Sequence, residues 1–99
     1  MKRVHLRRIA KRDIREAVQW YRQRDPALAE RFLDEVYKTL GMLEQFPHTG
    51  GVVFGVVDAA TRQFPVDNFP YSIVFKRFAD RLSVLAVAHD RKRPGYWNE

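Results

Sequence analysis

The sequence predicts an α+β fold: an N-terminal strand, a helical hairpin, then an antiparallel sheet of three or more strands. Three observations predict it. Apolar residues in the first half recur at helical steps of three and four. Those in the second half alternate at strand steps of two. A short polar turn, "FADR", joins the two most apolar stretches of that half.

The elements follow in order. "RVHLR" alternates, with Val4 and Leu6 on one side, and reads as a short first strand. Ala10, Ile14, Ala17, Val18 and Tyr21 then mark one stripe of an amphipathic helix from about Ile9 to Arg22. Lys11, Arg12, Asp13, Arg15, Glu16 and Gln19 are assigned to its charged face. Asp25 is a good N-cap for a second helix, and Pro26 suits the first helical position, where its missing N–H costs nothing. Leu28, Phe32, Val36, Leu40 and Leu43 give that helix its stripe, broadened by Ala29, Leu33 and Tyr37. Pro47 and Gly50-Gly51 end it. The short loop between the helices makes an αα-hairpin.

"GVVFGVV" is apolar, but its glycines leave its conformation open. Tyr71–Phe78 and Leu82–His89 are expected to pair antiparallel, while Pro65 and Pro70 confine their neighbours to strand starts, edges or bends. The chain, residues 1–99, reads as a single domain. Its 45% hydrophobic content, with two Trp, four Tyr and seven Phe, furnishes a core and argues against disorder. No stretch is long and apolar enough to span a bilayer, so no membrane partner is expected. "MKRVHLRRIAKRD" lacks the apolar region of a secretory signal. Cysteine is absent, which removes disulfides and thiolate metal sites and fits a cytoplasmic location.

The formal charge is +6, which favours anionic partners. It is unevenly placed. Lys2, Arg3, Arg7, Arg8, Lys11, Arg12 and Arg15 crowd the start, and Arg91, Lys92 and Arg93 form a second cluster. That second cluster belongs to "VLAVAHDRKRPGYW", where an apolar strand passes into His89, three cations, a Pro-Gly turn, and then Tyr96 and Trp97. The two aromatics have two readings. They fold back as core, or, with Arg91–Arg93, they form a partner surface, since Tyr, Trp and Arg are common interface anchors.

The elements "DIREAVQWY", "LAERFLDEV", "QFPHTG", "FPYSIVFK" and "VLAVAHDRKRPGYW", in this order and at these distances, resemble the RelE/ParE superfamily of bacterial toxins. Within it they resemble the ParE-type, or plasmid-stabilisation, branch. The likeness runs over nearly the whole chain. It implies the α+β arrangement already read from periodicity. It also implies a small cytoplasmic toxin of a type II toxin–antitoxin system, neutralised by a cognate antitoxin whose C-terminal segment wraps it. Phe54, Val56, Phe69 and Phe78 are expected to remain partly exposed, available to such a helix or to a strand added at the sheet edge. RelE-type relatives cut mRNA on the ribosome, whereas ParE-type relatives are implied to inhibit DNA gyrase by binding.

Cutting RNA through its own 2′-OH needs a base, a cationic stabiliser for the phosphorane and an acid. By the resemblance, nucleases carry several basic side chains on the central strands and one after the last strand. Here the position after Tyr71 is Ser72, and the upstream strand reads Gln63, Phe64, Pro65, with Arg62 its one cation. Arg91 matches the cation after the last strand, and Tyr96 or Trp97 the terminal aromatic. If the chain is a nuclease, the expected catalytic set is His89, Arg91 and Tyr96. The expected target or partner surface is Arg62, Arg91, Lys92, Arg93, Tyr96 and Trp97. The depleted basic set favours gyrase binding over cleavage by an endoribonuclease; a non-toxic, degenerate member is the third reading. His89, ending an apolar strand, also has a plain role in binding backbone or carboxylate. His89 and Asp90 are expected on opposite faces, so they form no ready dyad. His5, His48 and His89 give no metal-ligand spacing, so no metal and no cofactor are expected.

Overall fold

The computed structural model describes residues 3–56 and 58–98. Lys2 of the N-terminal basic cluster and Val57 of the "GVVFGVV" stretch lie outside them. Strand β1 (Arg3–Leu6) leads into helix α1 (Arg8–Arg24) and helix α2 (Pro26–Gln45). Strands β2 (Gly51–Val52), β3 (Thr61–Pro65), β4 (Tyr71–Arg77) and β5 (Arg81–His89) follow, and a 3₁₀ turn spans Tyr96–Asn98. The described strands form one sheet in the order β1-β5-β4-β3-β2. The expected β4–β5 hairpin is present, closed where the Phe78 N–H donates to the Arg81 carbonyl at 2.9 Å. One pairing is not readable from local pattern: β1 lies parallel to β5, from Arg3↔Arg81 to Leu6↔Val84. That places β5 inside the sheet rather than at its edge.

Asp25 joins the helices. Its N–H donates to the Tyr21 carbonyl and closes α1, while its side chain accepts from the Ala27 N–H at 3.0 Å and opens α2. The helical hairpin covers one face of the sheet. Ala10, Ile14, Ala17, Phe32, Val36 and Leu43 are buried there against Ile73, Phe75, Leu82, Val84 and Val87. Tyr21, Phe32, Phe69 and Tyr71 form an aromatic group with centroid separations from 5.1 to 6.4 Å, edge-on except for the tilted Tyr21–Phe32 pair.

Strict alternation fails in β5. Its register against β4 shifts between Val74↔Ala86 and Phe75↔Val84, so Leu85 is an extra, bulged residue. Val84 and Val87 face the helices, whereas Leu85 and Ala86 both face the opposite side. Without the bulge, Val87 and His89 would point away from the helices. With it, His89 pairs with Tyr71 and its ring meets that tyrosine edge-on at 5.1 Å. Asp90 lies beyond the strand on the other side and accepts from the Ser72 hydroxyl at 3.2 Å. The two residues are thus separated as expected.

The outer face carries a second, smaller core. Trp97 is 8% exposed and packs with Val53, Val74, Leu85 and Ala86, with Ile9, Val56, Ala88 and Tyr96 around them. The terminal turn is therefore a lid on the sheet. Of the apolar side chains expected at the surface, Phe54 is 82% exposed, whereas Val56, Phe69 and Phe78 are half-buried. Among the described residues, no helix is long and apolar enough to cross a membrane. Replacing Trp97 with Ala is expected to cost about 3–5 kcal/mol, the range for truncating a buried large aromatic. Urea denaturation measures it; a loss below about 1 kcal/mol would show that the outer core contributes little.

Candidate functional site

The residues after β5 are ordered by backbone contacts before any side chain acts. The Asp90 N–H donates to the Pro70 carbonyl at 2.9 Å, and the Lys92 N–H to the His89 carbonyl at 2.9 Å. His89 accepts the Arg91 N–H through Nδ1 at 3.1 Å. A neutral His89 therefore carries its proton on Nε2, the nitrogen able to exchange a proton with a ligand. Gly95, at φ +89°, supplies the left-handed residue that turns the chain back into Tyr96 and Trp97.

The fold then ties this segment to α1 through Asp13. Its Oδ2 accepts the Tyr96 hydroxyl at 2.6 Å and the Val87 N–H at 3.0 Å. β1 stops opposite Val84, so the backbone of β5 beyond it has no neighbouring strand on that side. Asp13 supplies the missing acceptor. Asp13 is only 6% exposed, contrary to its assignment to the charged helix face. The signal was in the spacing: residue 13 stands three after Ala10 and four before Ala17, inside the apolar stripe. Its charge hid its position.

Burial raises the Asp13 pKa above its ordinary 3.8, against the opposing pull of the Tyr96 and Val87 hydrogen bonds and of Lys92 and Arg12. Burial and the Asp13 carboxylate push the Tyr96 hydroxyl far up. Tyr96 is thus fixed as a donor to Asp13 and is a poor proton source near neutrality. Lys92 places its Nζ 4.1 Å from the Tyr96 ring centroid, a cation–π contact.

Two clefts border the segment. The first, about 400 Å³, lies between α1 and the ends of β4 and β5, and is walled by Trp20, Tyr21, Tyr71, His89, Lys92 and Tyr96. The second, about 160 Å³, lies on the outer face among Gln63, Ser72, His89, Asp90, Lys92 and Trp97. That outer cleft occupies the face where the resemblance would put a nuclease's cations. It holds an amide, a hydroxyl, a carboxylate and the His89 imidazole, with Lys92 as its one cation, placed over the Tyr96 ring. Lys76, further along β4, is bound to Asp58 at 2.8 Å.

The expected site residues divide accordingly. Arg91, Lys92 and Arg93 are exposed on one turn, with Tyr96 half-buried beneath Lys92 and Trp97 buried as core. His89 sits at the strand end beside them. Arg62 does not join this group. It pairs with Phe75, so its side chain shares the helix side of the sheet, four residues along β4 from the Tyr71↔His89 pair. At ~3.3 Å per residue that is roughly 13 Å along the strand. Among the described residues, no group of three or more His, Asp or Glu side chains is arranged to hold a metal ion.

The Asp13 network makes a signed prediction. A raised folded-state pKa means that Asp13 favours folding most below about pH 3.8, and that this contribution is lost as pH rises through the raised value. Lowering the pH from neutrality through that value is therefore expected to stabilise wild type relative to Asp13→Asn, in urea denaturation at a series of pH values. Asp58, whose pKa is lowered by its hydrogen bond to Lys76, acts oppositely: its contribution is lost as pH falls through the lowered value. Tyr96→Phe, which leaves Asp13 Oδ2 with the Val87 N–H alone, is expected to cost about 1.5–3 kcal/mol at neutral pH, the range for a hydrogen bond to a charged group. No loss in Tyr96→Phe would contradict the assigned bond.

Comparison with known proteins agrees with this fold. A structure described as the chromosomal ParDE toxin–antitoxin system from P. aeruginosa matches with a TM-score of 0.77. The match covers 90% of this chain and 96% of that one at 18% identity, so the likeness is one of fold. No curated protein sequence matches. The family model for the ParE toxin of the type II toxin–antitoxin system parDE matches residues 4–94. With the strand, helical hairpin and sheet in the order found here, the chain belongs to the ParE toxin family of type II toxin–antitoxin systems.

Proposed function

We propose that this ParE-family toxin acts in the cytoplasm, is neutralised by a cognate antitoxin, and arrests its target by binding DNA gyrase rather than by cutting mRNA. The observation that carries this reading is the composition of the outer cleft. Cleavage at a phosphodiester requires cations converging on the phosphorane. Gln63, Ser72 and Asp90 line the cleft with His89 and a single cation, Lys92, and the Asp90 carboxylate would repel a phosphate. Tyr96, the candidate acid, is committed to Asp13. Of the expected nuclease set, His89 and Arg91 retain groups suited to proton or charge transfer, and Lys92, held over the Tyr96 ring, is the one cation that lines the cleft with His89.

The target surface under this reading is the terminal platform: Arg91, Lys92 and Arg93 presented outward, positioned by Tyr96 and by buried Trp97. Arg62 would contact a target only at a separate patch. The antitoxin has other apolar surface to cover. Tyr37 and Phe46 are exposed, and the free edge of β1 borders a cleft formed with Leu40 and Gly41 of α2. An added strand or an amphipathic helix fits such an edge.

Purified gyrase tests the proposal. The chain is expected to stop supercoiling of relaxed plasmid, with mRNA left intact in a translating extract. Arg91→Ser/Arg93→Ser is expected to weaken inhibition at least tenfold while leaving the fold unchanged. Message cleavage with normal supercoiling, abolished by Arg91→Ala, would replace this reading with ribosome-dependent endoribonuclease action.

A further inference from the structure

The two basic clusters at opposite ends of the sequence meet in the fold. Arg12 of α1 approaches Asp13, Nη2 to Oδ1, at 3.7 Å. The same carboxylate holds Tyr96, and Lys92 lies over that ring. Ile9, next to Arg8, packs into the Trp97 cluster. Arg8 and Arg12, one helical turn apart, therefore border the segment that carries Arg91, Lys92 and Arg93. Arg8, Arg91, Lys92 and Arg93 are exposed and Arg12 is partly so. Arg12 has one long ion pair and a buried Nε, so the outer nitrogens of its partly exposed guanidinium are the donors left for an incoming anion.

Phe54 stands at the edge of this surface, 82% exposed. Its loop is anchored on both sides, by buried Val53 and by Val56 in the same cluster as Trp97. Gly55, at φ +83°, brings the backbone against the residue after Arg93: a Cβ there would lie 3.8 Å from the Pro94 ring. The aromatic ring is thus presented beside the cations rather than buried. A ring next to a track of cations is the arrangement by which proteins hold unpaired nucleic acid, bases on the ring and phosphates on the cations. Asp90 accepts from Ser72 on the outer face of the sheet.

We propose that Arg8, Arg12, Arg91, Lys92 and Arg93, with Phe54, bind single-stranded nucleic acid: the cations contact successive phosphates and Phe54 stacks on a base. This binding needs no gyrase, so it stands or falls apart from the target assigned above.

The test is fluorescence anisotropy of the purified chain with labelled single strands about twelve nucleotides long, in deoxyribose and ribose forms of one sequence, over a range of salt. Three to five phosphate contacts predict a slope of log K against log salt of about −2 to −3.5. Arg8→Ser/Arg91→Ser/Arg93→Ser is expected to lower the slope's magnitude by up to about 2. Phe54→Ala is expected to weaken binding about five- to a hundredfold with the slope unchanged. These substitutions are at exposed positions; thermal unfolding of each variant checks that the fold persists. Binding of either sugar form with these responses supports the proposal, and the preferred form names the source. Absence of binding at about 50 mM salt would overturn it. So would an unchanged slope in the triple variant, or full affinity in Phe54→Ala.

Discussion

One buried carboxylate organises the end of this molecule. Asp13 meets three needs at once: it satisfies the Val87 N–H that β1 is too short to reach, it receives the Tyr96 hydroxyl, and it is the negative charge nearest Arg12, with Lys92 on the tyrosine it holds. Burying an ionised group is costly unless it is well bonded. Asp13 is bonded to two donors, and the remaining cost appears as a raised pKa. In return, a helix, an interior strand and the chain's last turn are held in one geometry. The lid over the outer core, seated on Trp97, depends on that tie for its direction.

The fold was largely legible in the sequence because its signals are local and periodic. The Ala10–Tyr21 and Leu28–Leu43 stripes, the Asp25-Pro26 helix start and the Phe78–Arg81 turn each stand within a few residues of the feature they specify. What was not legible is nonlocal. The parallel pairing of β1 with β5 joins segments nearly eighty residues apart, and no pattern within either announces the other. The Leu85 bulge was hidden because the strand around it is apolar on both faces, so alternation carries no phase there. Asp13 was misplaced because charge was weighed above spacing. Of the aromatic ending, Trp97 meets the core reading, and Tyr96 is the support on which Lys92 rests.

The same tie explains how a small basic chain concentrates its charge. Residues 8–12 and 91–93 are remote in sequence, and a solvated helix face would leave them apart. Asp13 sits between them as the counter-charge that lets cations crowd around Tyr96 without mutual repulsion dominating. A partner that meets this surface meets a fixed array, not a flexible tail, and less ordering entropy opposes its binding. The relation to the outer cleft is instructive. Its carboxylate, Asp90, is bonded to Ser72, and Lys92 lines the same cleft, so an anion arriving on this outer face meets both signs of charge there.

The central claim is that Asp13 and Tyr96 act as a unit. A double-mutant cycle with Asp13→Ala, Tyr96→Phe and the double variant, read by urea denaturation at neutral pH, tests it most directly. The account predicts a coupling energy of about 1 kcal/mol or more, since residues sharing one buried hydrogen bond are strongly non-additive. Additive losses, within about 0.3 kcal/mol, would contradict it and leave the terminal turn held by Trp97 alone.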